Sequence, residues 1–308
     1  MYELKEKENK KHPTMYAMNN HLQGIVLIIL SAFFYSLMSL FVRLAGDLPT
    51  FQKAFFRNFI AMVFGFALLV KRGSFKMQKG CLPAHIGRTI AGSIGVICNF
   101  YAIDHMNISD ASILNKLAPF FSVVFSIFLL KEKASWKDWA LVAVAFCGAL
   151  FVVKPSFSST ASLPAFIGVL GGLGAGLAYT FVRALGKKGE RNAFTVFFFS
   201  GCSCLIILPM AVVQYQPMAW GQVGWLLLAG LAASGAQFTV TAAYTCAPAK
   251  DISVYDYSQV LFAALWGRLF LSQFPDWLSV IGYAIIIGAA VVKYTLSRKS
   301  SKKIKQNL

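Results

Sequence analysis

The sequence predicts an all-α integral membrane protein of ten transmembrane helices, built as two inverted five-helix repeats. Three observations carry that prediction. Of its 308 residues 57% are hydrophobic and only 13% charged, where a soluble domain carries about 25% charge. The apolar residues fall into runs of roughly 18–24, the length that crosses a hydrocarbon core at 1.5 Å per residue. Finally, residues 110–153 match residues 251–294: Asp110 aligns with Asp251, Leu130 with Leu271, Trp136 with Trp277, Ala143 with Ala284 and Ala149 with Ala290. A second match, Phe41-Val42-Arg43 with Phe181-Val182-Arg183, lies near the front of each half.

The spans follow in order from run length and flanking charge. Span 1, 22–44, is preceded by Lys5, Lys7, Lys10 and Lys11. Its run is too long, and its polar lead too extended, for a cleavable signal peptide. Span 2, 54–70, ends at Lys71, Arg72, Lys76 and Lys79, and span 3, 83–103, at Asp104 and His105. Span 4, 109–130, is followed by Lys131, Lys133 and Lys137, and span 5, 136–153, begins at Trp136. Span 6, 163–185, ends at Lys187, Lys188 and Arg191; spans 7 and 8 are 193–213 and 220–245. Span 9, 252–271, follows Asp251, and span 10, 277–296, leads into Arg298, Lys299, Lys302, Lys303 and Lys305.

The alternate loops, 45–51, 104–108, 155–162, 214–219 and 272–276, hold almost no Lys or Arg. This positive-inside pattern predicts a multi-pass protein of the cytoplasmic (inner) membrane with both termini cytoplasmic. Five spans per repeat is an odd number, so the second half enters from the side opposite to the first. Inverted halves can exchange conformations around one central site. The expected organisation is a cytoplasmic polar segment 1–21, a first repeat 22–153, an outer linker 154–162, a second repeat 163–296 and a disordered basic cytoplasmic tail 297–308. The net charge of +17 sits where anionic lipid headgroups lie, so membrane lipids are expected partners. Nucleic acid is not, because no aromatic-interleaved basic patch accompanies the charge. The six cysteines form no CxxC pair, and no metal or cofactor is expected.

The stretch from Ser109 through Asn115-Lys116-Leu117-Ala118-Pro119 to Lys131-Glu132-Lys133, with Trp136, the run at Gly148 and Phe55-Phe56-Arg57-Asn58, resembles the EamA-type repeat of the drug/metabolite transporter superfamily. That resemblance covers essentially the whole chain and implies a ten-span transporter. Its span-4 proline is Pro119 and its acidic residue closing span 4 is Glu132; Val260 and Gln273 stand at those positions in the second half.

Candidate site residues are polar groups at membrane depth. Lys116 lies about 10 Å down span 4, where a charge costs about 2.5–3.5 kcal/mol even on the lenient insertion scale. It calls for a watery cavity and an anionic partner on protein or substrate, against the blander reading of a side chain that snorkels to the headgroups. Asn115 is its neighbour. Tyr257 stands opposite Lys116 in the repeat, Tyr255 and Gln259 share a helix face at i, i+4, and Asp256 is a candidate coupling carboxylate or the partner of Lys116. Tyr35, Asn99, Tyr179, Gln237, Tyr244 and Trp266 complete the substrate-binding set, with Tyr101 and Thr241 among the polar groups inside spans. Asp251 suits a helix N-terminus. Arg57 and Arg268 read as interface anchors or structural pairing groups, Arg43 and Arg183 as structural, Glu132 as locally paired, and Asp104 with His105 as a solvated pair. Asn107-Ile108-Ser109 is a sequon pressed against the membrane. Gly168, Gly172 and Gly176 form a ladder that admits another helix rather than a phosphate loop.

The function expected is secondary active transport of a small organic metabolite, an amino acid, organic anion or related compound, by alternating access. A coupling proton or counter-solute is its expected partner. A lipid-linked carrier or flippase on the same fold is the alternative. An intramembrane enzyme is less favoured, because no nucleophile–base pair or deep carboxylate pair is visible.

Overall fold

The computed structural model describes residues 13–71, 75–105, 114–153, 162–270 and 277–306. Regular structure among them is entirely helical, as an apolar chain in lipid requires, because a helix satisfies its own backbone donors and acceptors without water. The helices are α1 (Pro13–Leu44), α2 (Thr50–Lys71), α3 (Leu82–His105), α4 (Ala118–Leu130), α5 (Trp136–Val153), α6 (Ser162–Lys187), α7 (Asn192–Val213), α8 (Trp220–Cys246), α9 (Ala249–Asp256), α10 (Ser258–Phe270) and α11 (Trp277–Gln306). Helices α2, α6, α7 and α8, and α1 from His21, are each long and apolar enough to cross a membrane. Leu205, Val212 and Phe128 are among the large side chains left exposed, the surface a bilayer would cover.

The two halves interleave. Helix α1 packs along α8 and α3 along α6; α2 lies on α7 and α5 on α11; α4 packs on α6, while α9 and α10 pack on α1. Exchanging the halves maps every one of these pairings onto another or onto itself. First meets third, second meets second, fifth meets fifth and fourth meets first. That is the two-fold relation an internal repeat implies. Close approach is made possible on α6, where a Cβ at Gly176 would lie 2.8 Å from the Ala118 carbonyl oxygen. The glycine ladder is therefore the groove that receives the α4 backbone.

The structure corrects the sequence reading in three places. Span 4 is interrupted at Lys116–Leu117, where the chain turns before α4 begins. Pro119 supplies the reason: it has no N–H for the carbonyl four residues back, and its ring crowds that carbonyl. Span 9 is also interrupted, at Tyr257 between α9 and α10, although Val260 replaces the proline. Third, residues 297–306 continue α11 instead of being disordered. That stretch contains neither Gly nor Pro, and its lysines suit a helix C-terminus. The Asn107–Ser109 sequon, Asp110 and Gln273 lie outside the described residues, as do the side chains of Asp104 and His105.

Candidate functional site

The two interruptions are equivalent in the repeat, and they touch. At the first, Leu117 N–H turns back to the Leu114 carbonyl at 3.1 Å. The Lys116 carbonyl instead accepts the Tyr257 hydroxyl at 2.9 Å. At the second, Val260 N–H bonds the Tyr257 carbonyl at 3.0 Å. No proline marks that second break, and the residue at it, Tyr257, is the one whose hydroxyl crosses the repeat interface. Two half-helices of 13 residues each, α4 and α10, therefore start at this contact. Their N-terminal, partially positive ends face the same region.

Lys116 sits at this junction. Its ammonium donates to Gln259 Oε1 and lies 3.7 Å from Asp256 Oδ2, with both side chains mostly buried. Its anionic partner is thus on the protein, which answers the snorkelling alternative. Tyr257 is fully buried and acts behind the junction as a backbone anchor.

An aromatic and cationic seam continues from the junction. Tyr179 stacks on Tyr244 with ring centroids 4.8 Å apart, and both lie within electrostatic reach of Asp256. The Tyr244 hydroxyl is 3.4 Å from Ser122 Oγ, which is 3.3 Å from Ser253 Oγ. Beyond Tyr179 lies Arg88. Its guanidinium is 3.7 Å from the Phe199 ring centroid, it donates to Gln237 Oε1 at 3.4 Å, and it interacts with Tyr35, Tyr179 and Arg57. The Arg57 guanidinium in turn lies 5.9 Å from the Tyr35 ring centroid. Helices α1, α2, α3, α6, α8 and α9 all contribute, so the seam belongs to both halves.

Lys116, Asp256, Gln259, Tyr257, Tyr179, Tyr244, Tyr35 and Gln237 are thus brought together, and Asn115 is half-buried beside Lys116. Two predicted members are not. The break at Tyr257 separates Tyr255 from Gln259: Tyr255 is buried near Asp251 and Tyr294, and its hydroxyl has no partner among the described residues. Trp266 donates to Ser36 Oγ at 2.9 Å and packs edge-on to Phe33. The Asn99 backbone lies against Gly171. Sequence reasoning missed Arg88 entirely, although an arginine about 9 Å into an apolar helix passes the test that singled out Lys116. Arg57 is half-buried, and its Nε–H is buried with no partner among the described residues.

Ion pairs tie the halves together on the face that carries the basic loops. Glu132 of the first half pairs with Arg183 at 3.1 Å and Lys187 at 2.8 Å of the second, so its partners are distant in sequence rather than local. Arg183 also caps α8 through the Thr245 carbonyl at 2.8 Å. Lys293 is held by Asp138 at 2.6 Å and Asp251 at 3.4 Å, and His85 by Glu190 at 3.2 Å. On the opposite face, among the described residues, neutral bonds join the halves: Gln52 exchanges two with the Gln216 backbone, and Gln222 donates to the Ala45 carbonyl.

A charged seam inside an apolar bundle, between halves related by exchange, defines a two-repeat membrane transporter. Comparison with known proteins is specific about which kind. The EamA-like transporter family matches residues 22–154 and again residues 164–295, and the chain belongs to that family. The pseudopaline exporter CntI of Pseudomonas aeruginosa (strain UCBPP-PA14) is 31% identical over 270 residues, covering 87% of this chain and 94% of that one. The S-adenosylmethionine uptake transporter of Rickettsia prowazekii (strain Madrid E) is 22% identical over 288 residues, covering 92% and 96%. A solved crystal structure of 16% identity aligns with a TM-score of 0.78 over 90% of this chain and 98% of that one, so the fold is shared. This is a multi-pass transporter of small molecules, not an enzyme.

Proposed function

We propose that the protein is a secondary transporter that moves a small organic metabolite, of amino-acid or organic-anion type, across the cytoplasmic membrane by alternating access. In this reading the basic-loop face is cytoplasmic, with lipid headgroups against its lysines. The substrate sits in the seam between the halves. The observation that carries the reading is the meeting of two equivalent helix breaks at a buried Lys116–Asp256 pair. Broken helices at a repeat interface place helix ends and free backbone groups where a substrate and a coupling ion bind in secondary transporters. Asp256 is the group proposed to take and release the coupling proton: protonating it frees Lys116, and a change of charge on one side of a pair can bias the two conformations. Relatives named for export and for uptake leave the direction to experiment. Their named substrates, pseudopaline and S-adenosylmethionine, head the panel of compounds to test.

The test is flux of that panel in proteoliposomes, with and without an imposed pH gradient. Wild type is expected to move at least one compound faster with the gradient. Asp256→Asn should lose the gradient dependence and Lys116→Ala most of the flux. Wild-type rates in both variants would refute the assignment of this pair.

A further inference from the structure

The seam holds more positive charge than its own carboxylates balance. Arg57, Arg88 and Lys116 contribute three cations, and Asp256, the carboxylate among them, is engaged by Lys116. Neither arginine has a carboxylate partner among the described residues, and each keeps a buried Nε–H with no acceptor. Arg88 is 4% exposed and Arg57 is half-buried. Its contacts are an amide oxygen and an aromatic face, which orient a guanidinium without neutralising it. Lys116 shows how this chain handles a deep cation with a protein partner; the two arginines are handled otherwise. A charge in an apolar interior is retained where it meets an opposite charge in a working state.

We propose that Arg57 and Arg88 form an anion subsite, and that the transported metabolite carries two carboxylates, or an equivalent pair of anionic groups, one for each guanidinium. This rests on the seam being the substrate site and adds the substrate's charge class. Two like charges coupled through Tyr35 repel each other, and one monoanion leaves one cation uncompensated. A dianion neutralises both. The planar guanidinium fork suits a carboxylate bidentately, which an ammonium does not. Tyr35 and Tyr179 flank Arg88 and supply hydroxyls and ring faces for the carbon skeleton between the two anionic ends.

The position of Arg88 is built in by its own helix. Its guanidinium lies across Gly92, one turn on, and a Cβ there would meet Arg88 Nη1 and come within 2.7 Å of the Phe199 ring. Gly92→Ala therefore displaces the guanidinium while leaving the charge in place.

The experiment is thermal unfolding of the purified full-length protein against α,ω-dicarboxylates from malonate to suberate, each beside its monoamide. The expected result is that at least one dicarboxylate raises the melting temperature and its monoamide binds about tenfold more weakly or worse. Arg57→Gln, Arg88→Gln and Gly92→Ala should each abolish that preference, and Arg88→Gln should unfold at a higher temperature than wild type without ligand. The proposal fails if no dicarboxylate outperforms its monoamide on wild type, or if the folded variants keep the wild-type preference. The transport reading stands or falls separately, on gradient-driven flux of any compound by wild type and its dependence on Asp256.

Discussion

Lys116 and Asp256 are a buried pair 3.7 Å apart, and removing one member of such a pair leaves an uncompensated charge. That typically destabilises by about 3–5 kcal/mol, whereas removing both is close to neutral. Asp256→Asn alone should therefore lower stability more than Lys116→Met and Asp256→Asn together, measured as denaturant unfolding in micelles. A double variant less stable than the single would mean that the pair contributes packing rather than charge balance. Lys116 was legible in the sequence because a lysine at membrane depth stands out against apolar neighbours. Its partner was not fixed by the sequence, since Asp256 read equally well as a wetted residue near a helix end. Only the fold brings α9 to within an ion pair of span 4.

At the level of elements, the paired breaks set the site. Tyr257→Phe keeps the ring and removes the donor to the Lys116 carbonyl at 2.9 Å. A buried acceptor left without its partner costs about 1–3 kcal/mol, so this variant should melt earlier and transport more slowly. Pro119→Ala restores an N–H to the span-4 ladder. It should hold or raise stability yet reduce flux, because a straightened helix withdraws the Lys116 carbonyl; unchanged flux would show that the break is incidental. The first break could have been anticipated from Pro119. The second could not, for residues 252–271 read as one continuous span with no proline, and the contact made at the break, from the Tyr257 hydroxyl to the Lys116 carbonyl, joins residues far apart in sequence.

For the molecule as a whole, charge ties the halves on the basic-loop face and neutral amides tie them on the other. If alternating access operates, opening the basic face must break the Glu132–Arg183–Lys187 cluster. Glu132→Gln should then favour that opening. With Cys246, half-buried at the end of α8, as the sole cysteine, its labelling by a membrane-impermeant maleimide should speed up severalfold over the Glu132 parent, and excess substrate should alter that rate. Equal rates would show that the cluster does not gate. Closeness between repeats is a global property too. Gly176→Val would drive a side chain into the α4 backbone, whose Ala118 oxygen already lies 2.8 Å from a Cβ at that position. Overpacking of this kind costs about 1–3 kcal/mol, measurable as a lowered melting temperature.

The sequence by itself determined the membrane class, the order of spans and the two-fold repeat. Run length, loop charge and residue matches at fixed spacing are one-dimensional quantities tied directly to bilayer thickness and chain direction. It also pointed to Lys116, through the cost of a charge in hydrocarbon. Tertiary structure alone decided which polar groups meet. It joined Lys116 to Asp256 and Gln259, bonded the Tyr257 hydroxyl to the Lys116 backbone, set Tyr255 and Trp266 apart, and brought Arg57 and Arg88 to the same seam. Those outcomes depend on how helices far apart in sequence interleave and where they break, and neither is encoded in the local periodicity of an apolar run.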